Sequence, residues 1–440
     1  DMGHMVNPDR SYRLLQQRLD RNVTGAPMSP VFMQILKLLF SPADAEIARQ
    51  LPTNFTKLSD LAGKLQMPAA ELLDILSGMA ERGVVIDIER RGERYFSLAP
   101  VVIGFFEFTF MRLRPDAPVA ELAQLFEAYF REDDRFARAV FAHETQIGRS
   151  LVREEALPAG VDGQHVEILD WERASTIVKT ATDAAVSLCA CRHHASHLNE
   201  ACARPQRTCL SFNYGATTLV RNGVAERISN REAMDILELA KVNGLAQTAD
   251  NVQRNVSYIC NCCGDCCGMM SAIRRFDLRN AIVTSNWISS IDLDHCNGCG
   301  RCVKVCPVNA ITIAEQQMPN RRKRWAVRDA DLCLGCGVCY SACRHGALSM
   351  SPRPRRVFTP ESTFDRMVAM AIERGKLADL ILDNTEGLGY QAVGRIVQVL
   401  EKSPPYKAAL AVKPLRSIFL DAVVRGIKLA AGPARALIEQ

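Results

Sequence analysis

The sequence predicts a multidomain protein of the α+β class. At 440 residues, the chain is long enough for two to four domains. Apolar residues recur at helical spacing over much of its length, and shorter runs of extended character stand between them. All 17 cysteines lie between Cys189 and Cys343, which separates one cysteine-rich segment from two flanking regions.

We divide the chain where these patterns change. The segments are 1–28 (a cloning scar and an N-terminal arm), 29–100 (helices and a hairpin), 101–160 (a helical connector), 161–285 (a mixed α/β cysteine-rich domain), 286–351 (a domain with two cysteine motifs) and 352–440 (a helical C-terminal region). In the last segment we expect a break between helices at Pro404–Pro405, because proline cannot continue a helix.

Residues 29–100 predict helices followed by a two-stranded hairpin. Val31–Phe40 is an apolar helix, and Ser41 is typical of the residue that caps the next one. Two more segments follow at helical spacing, before strands at Val84–Glu89 and Tyr95–Leu98. This order resembles a winged-helix domain.

The cysteine-rich domain predicts both strands and helices. Strands are expected at Val166–Leu169 and Ala184–Leu188, and a helix at 230–242. Ser229 and Glu232 have the spacing of a capping box at the start of that helix.

The cysteine pattern excludes the class of small disulfide-rich secreted proteins. Such chains are short and distribute cysteine along their whole length, whereas here the first cysteine is Cys189. Most neighbouring cysteines are two or three residues apart, a spacing suited to enclosing one metal centre. We therefore expect metal ligation in a reducing compartment. Because no apolar run reaches about 20 residues, we also expect a cytoplasmic protein without a membrane span.

Two cysteine motifs resemble the bacterial-type ferredoxin with two [4Fe–4S] clusters. They are Cys296-x2-Cys299-x2-Cys302-x3-Cys306-Pro307 and Cys333-x2-Cys336-x2-Cys339-x3-Cys343. In that family the last cysteine of each motif ligates the other motif's cluster. The resemblance therefore implies cluster one on Cys296, Cys299, Cys302 and Cys343, and cluster two on Cys333, Cys336, Cys339 and Cys306. Arg344 stands where proline is usual, and its charge near cluster one is expected to raise that cluster's potential.

The cysteines outside these motifs predict further clusters. A first set, sufficient for a third cluster, is Cys189, Cys191, Cys202 and Cys209. A second set, which repeats the ferredoxin spacing, is Cys260, Cys263 and Cys266. Its fourth ligand could be Cys262, Cys267 or a cysteine of the first set. The sequence thus predicts three or four [4Fe–4S] clusters in all. The Cys-Cys-Gly triplets 262–264 and 266–268 resemble the motif of heterodisulfide-reductase catalytic subunits, which leaves a reaction site as an alternative.

Polar residues next to these cysteines have two interpretations. Arg192, His193, His194 and His197 follow the first cysteine pair, and we expect them to be surface or loop residues. The alternative is that they hydrogen-bond to a cluster or that a histidine ligates iron. Asp265 stands among the cysteines and could carry protons.

Residues 25–351 as a whole resemble a group of bacterial and archaeal 4Fe–4S proteins. The shared features are a winged-helix-like region, a middle Cys-x-Cys-Arg segment and a two-cluster ferredoxin. The resemblance implies electron transfer by a protein that serves, or forms part of, a cytoplasmic anaerobic-type oxidoreductase. One alternative is a self-contained reductase whose middle cluster binds substrate. The other is a redox-sensing regulator that binds DNA through the winged helix.

Charge patterns favour protein partners over nucleic acid. The helix that a regulator would present to DNA, Ala69–Arg82, has Glu71, Asp74 and Glu81 on its polar face and would repel phosphates. We expect this domain to bind protein or to form a homodimer. The basic run Arg321–Arg324 predicts a redox partner with an acidic docking surface.

Overall fold

The computed structural model describes residues 8–157, 168–318 and 321–382. Its mixture of helices and sheets confirms the α+β class. Within these three ranges, no helix has both the length and the apolar character that crossing a bilayer requires. None of the 17 cysteines, all of which lie in the described ranges, forms a disulfide.

The chain forms two compact units. The helical unit contains the described residues up to 145, residues 221–224 and those from 361 onward. The cysteine unit contains residues 146–220 and 225–360. Apart from residues 221–224, the described parts of both predicted cysteine-containing domains lie in the same unit, while the boundary between them stays a prediction.

The helical unit begins with helices and a small sheet. Its first elements are α1 (Pro8–Asp20), α2 (Pro30–Leu39), α3 (Pro42–Ala48), β1 (Thr56–Lys57), α4 (Leu58–Leu65), α5 (Ala69–Glu81), β2 (Val85–Arg90), β3 (Glu93–Leu98), α6 (Phe106–Phe110), α7 (Val119–Arg131) and α8 (Arg135–Phe141). The strands pair antiparallel in the order β1-β3-β2. Helices and hairpin follow the expected order, and the winged-helix interpretation stays a prediction because element order alone does not define that family.

Local side-chain contacts explain where these helices start. Ser29 accepts a hydrogen bond from the Phe32 N–H at 3.0 Å before α2. Ser41 and Asp44 form a reciprocal capping box before α3. Phe32 is fully buried and its ring stacks on Tyr129 with 4.7 Å between centroids, which packs α2 against α7.

The hairpin of the helical unit holds a buried carboxylate. Asp87 on β2 is fully buried, accepts a hydrogen bond from Asn222 at 2.7 Å and pairs with Arg221 at 3.0 Å. Arg94 on β3 pairs with the same carboxylate. Because a buried charge requires partners, this group fixes residues 221–224 against the hairpin and neutralises Arg94 within the unit.

The cysteine unit is built on an antiparallel sheet. Its elements are β4 (Gly148–Ser150), α9 (Ala174–Thr180), β5 (Ala184–Leu188), α10 (Ala190–His197), β6 (Arg207–Phe212), α11 (Asn213–Arg221), β7 (Glu226–Ile228), α12 (Asn230–Val242), β8 (Ala246–Asp250), β9 (Tyr258–Cys262), α13 (Gly268–Phe276), β10 (Trp287–Ile291), α14 (Arg301–Val305), β11 (Ile311–Met318), β12 (Arg321–Arg328), α15 (Val338–Ala342) and β13 (Leu348–Pro352). Six strands pair in the order β4-β8-β9-β6-β5-β7, while β10 pairs with β13 and β11 with β12. The buried core of the large sheet includes Val186, Leu210 and Ile259.

Two predicted elements of the cysteine unit are confirmed, with one local difference. The strand at Ala184–Leu188 and the helix at 230–242 are present as β5 and α12. Ser229 accepts a hydrogen bond from the Glu232 N–H at 3.1 Å. The Glu232 carboxylate pairs with Arg207 instead of returning to Ser229, so only half of the capping box forms.

Two other local predictions differ from the structure. Val166 lies outside the described residues, and Ile168–Leu169 are not in a strand, so the strand prediction is wrong for that pair. Residues Gly148–Ser150, expected in a helical connector, form β4 because they pair with β8 at the edge of the sheet.

Two final helices return to the helical unit. They are α16 (Thr363–Glu373) and α17 (Leu377–Leu382). Ser362 and Asp365 cap α16 reciprocally, and the Lys376 ammonium donates to the carbonyls of Asp20 at 2.6 Å and Asn22 at 2.8 Å. These contacts attach the helices to α1. The break expected at Pro404–Pro405 lies outside the described residues.

Candidate metal centre

Four cysteines from the two motifs line one cavity of the cysteine unit. Cys306 comes from the first motif, while Cys333, Cys336 and Cys339 come from the second. These four thiols are the crossed set that the ferredoxin resemblance implies for cluster two. Their convergence on one space fits a cofactor with four irons and four thiolate ligands.

Three of the four remaining motif cysteines lie around a neighbouring apolar group, and the fourth, Cys299, is exposed. Cys296, Cys302 and Cys343 pack there with side chains that include Ile311. Cys339 belongs to the same group, so the two expected cluster positions adjoin.

Backbone and side-chain polar groups lie within hydrogen-bonding distance of two of these sulfurs. Ala310 donates to the Cys306 Sγ at 3.2 Å, and Ser289 Oγ lies 3.7 Å from the Cys333 Sγ. Hydrogen bonds to cluster sulfurs stabilise thiolates and tune reduction potentials. Gly298 has a φ of +69°, and a Cβ there would lie 2.5 Å from the Arg324 Cβ, so the loop between the first cysteines requires glycine to approach β12.

Burial keeps the inner thiols protonated unless a metal is bound. Desolvation raises the pKa of the Cys336 thiol to about 12 and also raises the pKa of Cys339. Because cluster ligands are thiolates, iron binding must supply the charge that compensates this burial. The Arg153 guanidinium interacts electrostatically with both thiols. The backbone N–H of Arg153 donates a hydrogen bond to the Cys336 carbonyl at 3.2 Å.

Six other thiols form a contiguous group at one end of the large sheet. In order of contact, the members of this six-thiol group are Cys209, Cys260, Cys262, Cys267, Cys191 and Cys189. The pairing of β6 with β9 brings Cys209 beside Cys260. Cys189 and Cys267 stand directly before α10 and α13.

The other three cysteines form a separate and tighter set. The Sγ atoms of Cys202, Cys263 and Cys266, the cysteine trio, all lie within 4.8 Å of one another. The Cys202 and Cys263 sulfurs are 3.7 Å apart, and the Cys266 N–H donates to the Cys263 Sγ at 3.4 Å. The loop after α10 thus carries Cys202 to the turn at 263–266, while the expected ligand set of Cys202 with Cys189, Cys191 and Cys209 stays a prediction.

A buried arginine stands beside both sets of middle thiols. Arg192 is fully buried on α10 and donates to the Asn261 carbonyl at 3.0 Å and to the Thr208 hydroxyl. Burial by itself would lower the pKa of Arg192, but the nearby Cys189 and Cys263 thiols outweigh it and raise that pKa. The guanidinium can therefore compensate negative charge on the metal ligands.

The neighbouring histidines are also less exposed than expected. His193 and His194 are buried on α10, so the surface or loop interpretation is wrong for them and for Arg192. His197 is partly exposed, with its Nε2 3.2 Å from that of His193. Asp265 is exposed and pairs with Arg204 at 2.5 Å.

Comparison with known proteins identifies one part of the chain. Residues 295–356 match the family of 4Fe–4S dicluster domains. This stretch is a ferredoxin-type iron–sulfur module. No curated protein and no solved structure matches the chain. The module supports 4Fe–4S binding, whereas clusters outside it stay a prediction.

The ferredoxin module contacts the turn that carries the cysteine trio. A Cβ on Gly264 would lie 2.8 Å from the carbonyl oxygen of Pro307, the residue after Cys306. Since Gly264 follows Cys263 directly, this contact brings a ligand of the module and a thiol of the middle region into neighbouring backbone segments.

Sequence reasoning did not identify two polar residues near the module cysteines. Arg153 bonds the Lys241 carbonyl at 2.9 Å and lies against Gly337 between two module cysteines. Ser289 reaches Cys333 from β10. Arg153 and Ser289 are each far in the sequence from the module cysteines that they approach, so no local pattern predicted either contact.

Proposed function

We propose that this chain is a multi-cluster iron–sulfur electron-transfer protein that serves, or forms part of, a cytoplasmic anaerobic-type oxidoreductase. The observation that carries the proposal is the backbone contact between Gly264 and Pro307. It connects the ferredoxin module to a region with nine more cysteines inside one compact unit. Electrons can then pass from one metal centre to the next without leaving the unit.

The two ends of the module differ in their access to solvent. Cys299, a ligand expected for cluster one, is exposed, whereas Cys333, Cys336 and Cys339 are buried. Cluster one also adjoins β12, which carries the exposed cations Lys323 and Arg324. We therefore assign the exchange of electrons with an acidic partner protein to cluster one, and exchange with the middle thiols to cluster two.

The six-thiol group supports a third cluster. A cubane cluster requires four ligands, and this group offers six thiols beside two helix N-termini. The two thiols in excess favour the self-contained reductase as the second candidate, since an unligated thiol beside a cluster could react with substrate.

The helical unit supports a role in protein contact more than one in DNA binding. Glu71, Asp74 and Glu81 are exposed along α5, so this helix presents negative charge. Arg82 pairs with Asp44 at 2.9 Å, and Arg94 of the hairpin pairs with Asp87. A gel shift with genomic fragments at low salt tests this assignment, and a retarded DNA band would favour the regulator instead.

The deciding experiment is anaerobic quantitation of iron and acid-labile sulfide together with EPR of the reduced protein. We expect about 12 to 16 irons per chain, since each cluster contains four. The dicluster module should give two interacting S = 1/2 centres, and additional signals should come from the middle region. Eight irons or fewer after complete reconstitution would contradict the proposal.

A further inference from the structure

We propose that the cysteine trio is a mononuclear metal site, a zinc site by its ligands, distinct from every iron–sulfur cluster of the chain. The inference goes beyond the proposed function, because it separates Cys202, Cys263 and Cys266 from electron transfer. The proposal rests on sulfur spacing, on hydrogen bonds and on charge.

The spacing of the sulfurs fits one ion. With Zn–S bonds of about 2.3 Å at tetrahedral angles, two thiolates on the same ion lie about 3.8 Å apart. The Cys202 and Cys263 sulfurs are 3.7 Å apart, and all three sulfurs lie within 4.8 Å of one another. Thiolates of a cubane lie farther apart, because each is bound to a different iron.

The other cysteines provide an internal comparison. In the described part of the chain, the cysteine trio is the one set of three potential ligands whose atoms are this close. Neither the eight module cysteines nor the six-thiol group contains such a set. Among the described residues, the trio is therefore the set in which three sulfurs can reach one ion.

Hydrogen-bond donors lie next to each sulfur of the trio. The Cys266 N–H donates to the Cys263 Sγ at 3.4 Å, across a Cys-x2-Cys turn that contains Gly264. The Cys202 backbone N–H donates to the Cys266 thiol, and the Arg204 guanidinium lies within hydrogen-bonding reach of the Cys202 thiol. Each sulfur of the trio thus has a hydrogen-bond donor next to it, as the ligands of a structural metal site do.

Charge also balances around a single divalent ion. Three thiolates and Zn²⁺ sum to one negative charge, and the buried Arg192 guanidinium beside Cys263 supplies one positive charge.

A zinc site at this position has a structural role. The trio joins the loop after α10 to the turn before α13, and that turn carries Gly264 against the ferredoxin module. A metal with no redox chemistry would hold this junction in the same geometry in every oxidation state of the neighbouring clusters.

The test is the metal content of the full chain and of two matched cysteine variants, all prepared anaerobically. The unmodified chain should contain about 12 irons, as many sulfides and one zinc, from three cubanes and one ion. Cys202→Ser should lose the zinc and keep iron and sulfide. The control Cys336→Ser, in the ferredoxin module, should lose iron and sulfide and keep the zinc.

Three results would overturn the proposal. They are about 16 irons without zinc, loss of four irons and four sulfides in Cys202→Ser, and no change of metal content in that variant. The first two would leave the proposed electron-transfer function intact, whereas eight irons or fewer would contradict that function whether or not zinc is present.

A measurement on the unmodified chain covers the case in which Cys202→Ser does not fold. Zinc K-edge X-ray absorption should show a shell of three to four sulfurs at about 2.3 Å. A zinc shell dominated by oxygen and nitrogen would indicate zinc bound elsewhere and would overturn the assignment.

Discussion

The backbone N–H of Ala326 donates a hydrogen bond to the Cys296 Sγ at 3.3 Å. Ala326 lies on β12, only two residues beyond the basic run Arg321–Arg324 of the same strand. The strand that displays positive charge therefore also contacts a ligand of cluster one. A partner bound to this hairpin would lie next to the cluster with which it exchanges electrons.

The first prediction concerns this hairpin. Lys323→Glu combined with Arg324→Glu should slow reduction by an acidic ferredoxin, used as the probe, at least several-fold at low salt. Added salt should slow the unmodified chain and have less effect on the variant, because exposed charges are screened over ~8 Å at physiological ionic strength. Stopped-flow absorbance measures both rates.

The control for this prediction reverses two other exposed cations of the cysteine unit. Lys179→Glu with Arg231→Glu changes net charge equally but leaves the hairpin intact. Equal slowing in both variants would show that net charge, and not the hairpin, governs the encounter. Unchanged rates in the hairpin variant would mean that the basic run only interacts with solvent.

The second prediction concerns the junction at Gly264. Gly264→Ala should slow electron transfer between the ferredoxin module and the middle region, because a Cβ 2.8 Å from the Pro307 carbonyl forces the two segments apart. Overpacking of this kind costs about 1–3 kcal/mol of stability. Freeze-quench EPR after rapid reduction measures how fast the clusters equilibrate.

Gly268→Ala is the matched control, since a Cβ there meets no atom within 4 Å. It should leave both stability and equilibration unchanged. Equal equilibration rates in the Gly264 variant and the unmodified chain would show that the spacing at this junction does not limit electron transfer.

The third prediction concerns crossed ligation. Cys306→Ala should disrupt cluster two, because Cys306 lines one cavity with Cys333, Cys336 and Cys339. EPR should lose the signal of the inner cluster and its magnetic interaction while retaining the signal of cluster one. Selective loss of cluster one would contradict the crossed assignment of Cys306 and Cys343.

The fourth prediction separates a relay from an enzyme. Cys262→Ser and Cys267→Ser are compared, one at a time, for iron content and for partner-dependent turnover. If the six-thiol group holds only a relay cluster, replacing a ligand should lower both the iron content and the partner-dependent turnover. Replacing a cysteine that is not a ligand should leave both unchanged. Full iron content with lost turnover, accompanied by new EPR features on adding substrate, would establish a reaction site in the six-thiol group.

The sequence predicts the ferredoxin module well because its ligands are close in the chain. Regular Cys-x2-Cys spacing predicts the motifs, and the hairpin between them is present as β11 and β12. Helices with strong start signals, such as those after Ser41 and Ser229, are also found where expected.

The arrangement of the middle cysteines could not be derived from spacing. Cys209 meets Cys260 through the pairing of β6 with β9, and Cys202 meets Cys263 across a loop, so in both cases the tertiary fold decides the neighbours. The burial of Arg192 could not be predicted either, since arginine side chains are mostly exposed. Its burial depends on the Asn261 carbonyl and the Thr208 hydroxyl, which are distant in sequence.

The exposure of Cys299 predicts which cluster is damaged first when the protein meets oxygen. Oxygen and peroxide attack iron–sulfur clusters where they can reach them, and Cys299 is exposed while Cys333 and Cys339 are each 8% exposed. Oxidative damage should therefore begin at cluster one. The protein would first lose electron exchange with its partner, while cluster two is still intact.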